Sequence, residues 1–179
     1  MSDPKPTFAA LIQNPGFRYL WFNQILVQLA YNTLNFTLLI WVYKLTDSVF
    51  ADAALLFAMY LPAVIFGIFA GVFVDESDRR RIIMRIDFLL AVAMILFIFI
   101  KGSFGLILLN TFFINSLAQF FIPAEGSSIP MVVPKKQLLL ANSLFSLTLY
   151  GSFMIGFSLA GPLLIFFGIN TTFLVRILS

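Results

Sequence analysis

Neither cysteine nor histidine occurs in the 179 residues. Their absence removes disulfides, thiolate nucleophiles, imidazole bases and the usual zinc-ligand sets. Charge is also scarce: Asp, Glu, Lys and Arg make up 11% of the chain, eight acidic against eleven basic residues. A soluble globule of this size needs about twice that fraction to cover its surface. An enzyme built from this chain would have only Asp, Ser and Tyr to work with, and no carboxylate pair stands in the middle of an apolar run. The basic residues fall in short loops between apolar runs, with no stripe along one face, so nucleic acid is not an expected partner. No metal site or cofactor is expected.

What is abundant is apolar surface. Hydrophobic residues reach 61%, with 23 phenylalanines and a mean hydropathy of +1.01. The solvent for most side chains is therefore lipid. A spanning helix needs about 20 mainly apolar residues, because 1.5 Å of rise per residue must cross about 30 Å of hydrocarbon. Five segments qualify, at about 19–43, 51–74, 83–100, 104–122 and 141–167. None shows the two-residue alternation of a membrane barrel, and lipid tolerates no unpaired backbone, so the predicted class is all-α, a polytopic membrane helical bundle. Eleven residues follow Gly168 and end at Ser179 in a further apolar run, predicting five complete spans plus a truncated sixth from about 170.

The start, MSDPKPTFAALIQNPGFRYLWF, lacks a basic stretch leading directly into an apolar run and a small-residue cleavage site, so no removable signal peptide is expected. Counting Lys and Arg by alternate loops places Lys5, Arg18, Arg79, Arg80, Arg81, Arg85, Lys135 and Lys136 on one side, eight in all, and Lys44 and Lys101 on the other. The positive-inside rule then puts the N-terminus and the 75–82 loop in the cytoplasm. Arg176 stays unassigned, with snorkelling to the outer surface as its simplest role. Short turns at 44–50 and 101–103 predict antiparallel hairpins of neighbouring helices.

Within the first span Gln24, Gln28, Tyr31, Asn32 and Asn35 fall in about 100° of arc at 100° per residue. Amides in hydrocarbon need partners, so this stripe faces neighbouring helices or a water-filled cavity, and their number favours a cavity that admits a small-molecule substrate. Thr111, Asn115 and Gln119 repeat the device in the fourth span, where interhelical bonding and pathway lining are both open. Ala63, Gly67 and Gly71 form a nearly bare face on the second helix, and Gly151, Ser158 and Gly161 a narrow one on the fifth, which predicts close packing. Pro162 can kink the fifth span, either for a moving interface or as a static bend. Asp87 has no partner among Ile83, Met84, Leu90 and Ala91 of its own helix. Headgroup solvation, an ion pair and a proton-coupling role are its alternatives.

The stretch GVFVDESDRRR (71–81) concentrates charge between two apolar segments. From Gly71 through Asp75 to Arg79 and Arg80 it resembles the loop signature between the second and third helices of the major facilitator superfamily, departing at Glu76, where a basic residue is usual, and at Asp78, where glycine is usual. NPGFRYLW entering the first span, FFIPAEGSSIPMVVP after the fourth, ANSL opening the fifth and the Gly161-Pro162 pair extend the resemblance over nearly the whole chain. They look like bacterial drug:proton antiporters of the multidrug or macrolide-efflux type, except that Ile165 and Phe166 stand where paired glycines are expected and the fourth span lacks a buried arginine. The resemblance implies most of the N-terminal half of a twelve-helix transporter in the plasma (inner) membrane, whose substrate cavity lies against a C-terminal half. It further implies proton-coupled export of amphiphilic small molecules by alternating access. Gly71, Asp75, Arg79 and Arg80 would then form a cytoplasmic gating loop, with Asp75 and the arginines as an ionic latch. The rival reading is a non-transporting scaffold or a lipid- or ligand-binding module on the same fold.

Overall fold

A computed structural model describes residues 7–100 and 102–166. The chain forms α1 (Phe8–Gln13), α2 (Pro15–Thr46), α3 (Val49–Asp75), α4 (Arg79–Leu96), α5 (Phe104–Val132) and α6 (Leu138–Phe166), with a 3₁₀ turn at Lys135–Gln137 before α6. No strand occurs among the described residues. The sixth span predicted from about 170, and Arg176 in it, lie outside them.

Local chemistry sets the helix ends. Asn14 caps α2, its Oδ1 accepting from the backbone N–H groups of Gly16 and Phe17 at 3.0 and 3.3 Å, and Pro15 occupies the first helical position where no donor is needed. Asp47 closes α2 in the left-handed region at φ 48°, and Ser48 caps α3, so the connection between these helices is tight. Asp78 caps α4 by accepting from the Arg81 N–H at 3.2 Å. Gly102, at φ 74°, turns the chain before α5 in a conformation that glycine adopts without strain.

Among the described residues four helices are long and apolar enough to cross a membrane: α2, α3, α5 and α6. α4 does not meet that measure, because its 18 residues carry Arg79, Arg80, Arg81, Arg85 and Asp87 and the helix stops at Leu96, short of the predicted residue 100. The five-span expectation is thus supported at four helices. α5 departs in the other direction. Expected to stop at about 122, it continues through Pro123 and Pro130 to Val132, about 43 Å at 1.5 Å per residue. Each proline frees the carbonyl four residues before it, those of Gln119 and Gly126, which a membrane helix tolerates where neighbouring helices pack around it.

Sequence neighbours are not the main packing partners. α2 packs chiefly on α6 and α3 on α5, whereas α4 packs on α5, its successor in the chain. Three apolar clusters tie the bundle together. One joins Leu11 and Phe17 to Ile129, Ala141 and Phe145; a second joins Val74, Ile83, Ile86 and Leu90 to Ile114 and Phe121; a third, at the opposite end, joins Leu38 and Val42 to Leu55, Met59 and Ile107. The outside is no less apolar: Val64 and Ile68 of α3 are 80% and 83% exposed. Buried polar groups are Gln24, Gln28, Asn110, Thr111, Asn115, Glu125, Ser128 and Ser152. Greasy outside and amides inside is the distribution that lipid selects, since only the interior offers hydrogen-bond partners.

Candidate functional site

Two polar residues of the α2 stripe reach other helices, and the rest of the ladder bonds within its own helix. Gln24 donates from Nε2 to the Phe145 carbonyl of α6 at 3.1 Å, and the Tyr31 hydroxyl donates to Asn115 Oδ1 of α5 at 2.5 Å. Asn32 donates back to the Gln28 carbonyl at 2.9 Å, Asn115 to the Thr111 carbonyl at 2.9 Å, and Gln119 more loosely to the Asn115 carbonyl at 3.5 Å. Three acceptors in this ladder stay buried without a partner: Gln24 Oε1, Asn35 Oδ1 and Thr111 Oγ1. The predicted stripe therefore runs through the bundle interior as a row of mid-helix polar groups bridging α5, α2 and α6.

Close packing falls on a glycine that the sequence pattern passes over. A Cβ at Gly156 of α6 would lie 2.8 Å from the Thr33 nitrogen and 3.0 Å from the Asn32 carbonyl carbon, so only glycine permits α6 to approach α2 here. At Gly67, Gly71, Gly151 and Gly161 nothing lies within 4 Å of such an atom, and Ala63 and Gly67 are exposed. The expected close packing at Ala63, Gly67, Gly151 and Gly161 is thus not made within the described bundle. Pro162 is exposed and α6 runs past it to Phe166.

A second polar region lies at the end that carries Arg18, Arg79–Arg81 and the Lys135–Lys136 turn. A cavity of about 830 Å³ opens there between α2, α4 and α5. Tyr19 and Asn23 of α2, Ser77 and Asp78 of the turn, Arg79, Arg80 and Asp87 of α4 and Ser128 of α5 are the polar residues that line it. None of the α2 stripe residues lines it. Arg79 approaches Asp75 at 3.7 Å across the α3–α4 turn and Met131 Sδ of α5 at 3.6 Å, while Arg81 pairs with Asp78 at 3.1 Å on the surface. The Asp75 and Arg79 of the signature are therefore brought together, with Arg80 lining the same cavity as Arg79 and Gly71 one turn back in open space.

α5 also buries a carboxyl group that the sequence reading does not single out. Glu125 of α5 is 6% exposed, and its Oε1 has no hydrogen-bond partner. Asn23 of α2 lines the same cavity as Asp87, and Asn23 Nδ2 and Asp87 Oδ1 are both buried. The signal for Glu125 was present: Ala118, Phe121, Ala124, Ser128 and Ile129 continue the buried face of α5 on both sides of it. Pro123 hid that signal by marking a helix end that the structure does not have. Asn110 is a second such residue, donating to the Ala93 carbonyl at 2.8 Å and clamping α5 to α4.

The family model for transmembrane secretion effectors matches residues 6–179. The chain is similar to the uncharacterized MFS-type transporters YjbB and YkuC of Bacillus subtilis. With YjbB it is 26% identical over 157 residues, 85% of this chain and 39% of that protein. With YkuC it is 24% identical over 148 residues, 81% of this chain and 34% of that protein. Macrolide efflux protein A of Streptococcus pyogenes is 24% identical over 126 residues, 68% of this chain and 31% of that protein. The chain thus spans between 31% and 39% of the length of these curated relatives. No solved structure matches it.

Proposed function

The chain belongs to the transmembrane secretion effector family of the major facilitator superfamily, and from that premise we propose that it works as part of a secondary transporter exporting amphiphilic small molecules in exchange for protons. The observation that carries the reading is the interior polar ladder of Gln24, Gln28, Tyr31, Asn32, Asn35, Thr111, Asn115 and Gln119 inside an apolar, lipid-facing bundle. Its unpaired acceptors at Gln24, Asn35 and Thr111 are groups that a substrate or water can satisfy. Phenylalanines around them suit an aromatic or apolar molecule better than a phosphate or sugar, and the macrolide efflux relative is consistent with that class.

In this reading the N-terminus and the α3–α4 turn face the cytoplasm of a plasma (inner) membrane, as the excess of Arg and Lys at that end favours. A second helical half, the C-terminal one implied by the resemblance, closes the substrate path from the other side, and rocking between the halves gives alternating access. The exposed Asp75–Arg79 contact contributes little energy of its own, about 0.2–1 kcal/mol. That is enough to bias two states lying close in energy. Asp87, and not the latch, is the candidate coupling site.

Counterflow of a labelled macrolide in proteoliposomes, using the protein expressed from its whole reading frame, tests the proposal. Substrate accumulation that an imposed proton gradient accelerates is the expected result. Binding without counterflow would leave the scaffold or ligand-binding reading in its place.

A further inference from the structure

We propose that the outward face of α4 is a binding site for an anionic phospholipid, its phosphate held by Arg81 and Arg85 and one acyl chain laid along Met84, Phe88, Val92 and Ile95. The site requires only that the bundle stands in lipid, and it holds whether or not the chain takes part in export.

α4 has two faces of different kinds. At 100° per residue, Arg81, Met84, Arg85, Phe88, Val92 and Ile95 fall within about 100° of arc. Ile82, Ile83, Ile86, Leu90 and Ala93 occupy the opposite side; they are the buried residues of the helix, in the cluster that includes Ile114 and Phe121 of α5. The first face stays uncovered among the described residues, all six of its side chains being exposed.

Cations and apolar surface on one helix face set the chemistry of what covers it. From Met84 to Ile95 the strip rises about 16 Å at 1.5 Å per residue, half of the roughly 30 Å hydrocarbon layer. That is the reach of one acyl chain in one leaflet. The arginines stand at its head, where a recess of about 390 Å³ is lined by Arg81, Met84, Arg85, Phe88 and Leu89. Guanidinium and apolar wall thus share one space. Arg81 pairs with Asp78 at 3.1 Å, whereas Arg85 has no ion pair or hydrogen bond among the described residues. Arg85 also lies about 6 Å further along the helix, a full turn into the lipid-facing strip.

An arginine in that position reaches back to the headgroup layer, where its planar fork takes two phosphate oxygens at once. Two guanidiniums against the one carboxylate of Asp78 leave the recess positive. A lipid with net negative charge is therefore favoured over a zwitterionic one, whose cationic group the arginines repel. A second copy of the chain is a poorer fit, because docking by the same face about an axis along the membrane normal sets arginine against arginine.

Native mass spectrometry of the protein expressed from its whole reading frame, titrated in detergent with phosphatidylglycerol or phosphatidylcholine, reads the site. The first phosphatidylglycerol is expected to bind at least about fivefold more tightly than the first phosphatidylcholine. Arg85→Gln and Arg81→Gln should each weaken it about fivefold, the effect of one cation near an anionic headgroup. Lys135→Gln removes the same charge from the same end of the bundle but away from this face, and should leave the first binding step unchanged. Equal affinity for the two lipids overturns the proposal on the unaltered protein alone, whatever the variants do to folding. An equal loss in Lys135→Gln overturns it in favour of diffuse surface charge, and a dimer that disappears in Phe88→Ala assigns the face to a second copy of the chain instead.

Discussion

The α2–α6 and α3–α5 interfaces are the two largest in the bundle and are built in opposite ways. α2 meets α6 through hydrogen bonds and a backbone approach. Gln24 reaches the Phe145 carbonyl, Trp21 Nε1 donates to Thr148 Oγ1 at 2.8 Å, and Gly156 lets α6 seat against Asn32 and Thr33. α3 meets α5 through rings: Phe66 with Phe112 and Phe120 at 6.4 and 6.0 Å between centroids, and Phe73 edge-on to Phe120 at 5.9 Å. In lipid, apolar contact alone gives little preference for one register over the next, because acyl chains are equally good neighbours. The polar, glycine-seated interface therefore fixes geometry, while the ring-lined one can slide without losing a hydrogen bond. The described bundle thus has its better-fixed seam at α2–α6 and its more compliant one at α3–α5.

The sharpest way to break the rigid seam is Gly156→Ala. Its Cβ collides with backbone that cannot rotate away, so a loss of about 1–3 kcal/mol is expected, read as a lower melting temperature in detergent. Gly67→Ala on α3 is the matched control; with open space around it the change should be neutral, or stabilising by a few tenths of a kcal/mol up to about 1 through helix propensity. Equal losses in both variants would dissolve the contrast. At the compliant seam, Phe120→Leu removes both of its ring contacts at a cost of about 0.5–1.5 kcal/mol by thermal melt. Trp21→Phe deletes the hydrogen bond to Thr148 and should cost about 0.6 kcal/mol, the average for such bonds between membrane helices. Smallest in stability is Asp75→Asn, at or below about 0.5 kcal/mol for an exposed pair, yet transport rate should change if the Asp75–Arg79 contact biases the two states. An unchanged rate with normal insertion would reduce that contact to a turn closure.

Much of the fold was legible because a membrane leaves few choices. Long apolar runs forced helices, and the charged 75–82 stretch had to be a surface turn. Three features were not legible, each for a physical reason. Pro123 ordinarily ends a helix in water, but in a packed membrane bundle α5 runs on through it, carrying Glu125 into the interior. Glycine spacing identified candidate faces at Ala63–Gly67–Gly71 and Gly151–Gly161, but which glycine meets a partner is decided by which helices pair, and α2 with α6 is a non-neighbour pairing that no local pattern encodes. The amide stripe was visible in α2, yet its split between α5 at Tyr31 and α6 at Gln24 depends on the same pairing. Asp87 lacks a partner on its own helix, and the amide of Asn23 that shares its cavity comes from α2, which no local pattern encodes.

The absence of cysteine makes the decisive measurement a clean one. Single cysteines at Ser48, Ser77 and Ile68, tested with a membrane-impermeant thiol reagent on intact cells, report directly on how the chain threads the bilayer. Labelling at Ser48→Cys, protection at Ser77→Cys until the membrane is opened, and no reaction at Ile68→Cys in either condition is the pattern expected of α3 crossing lipid with its arginine-rich turn in the cytosol. Ready labelling of Ser77→Cys from outside, or of Ile68→Cys by the aqueous reagent, would contradict it.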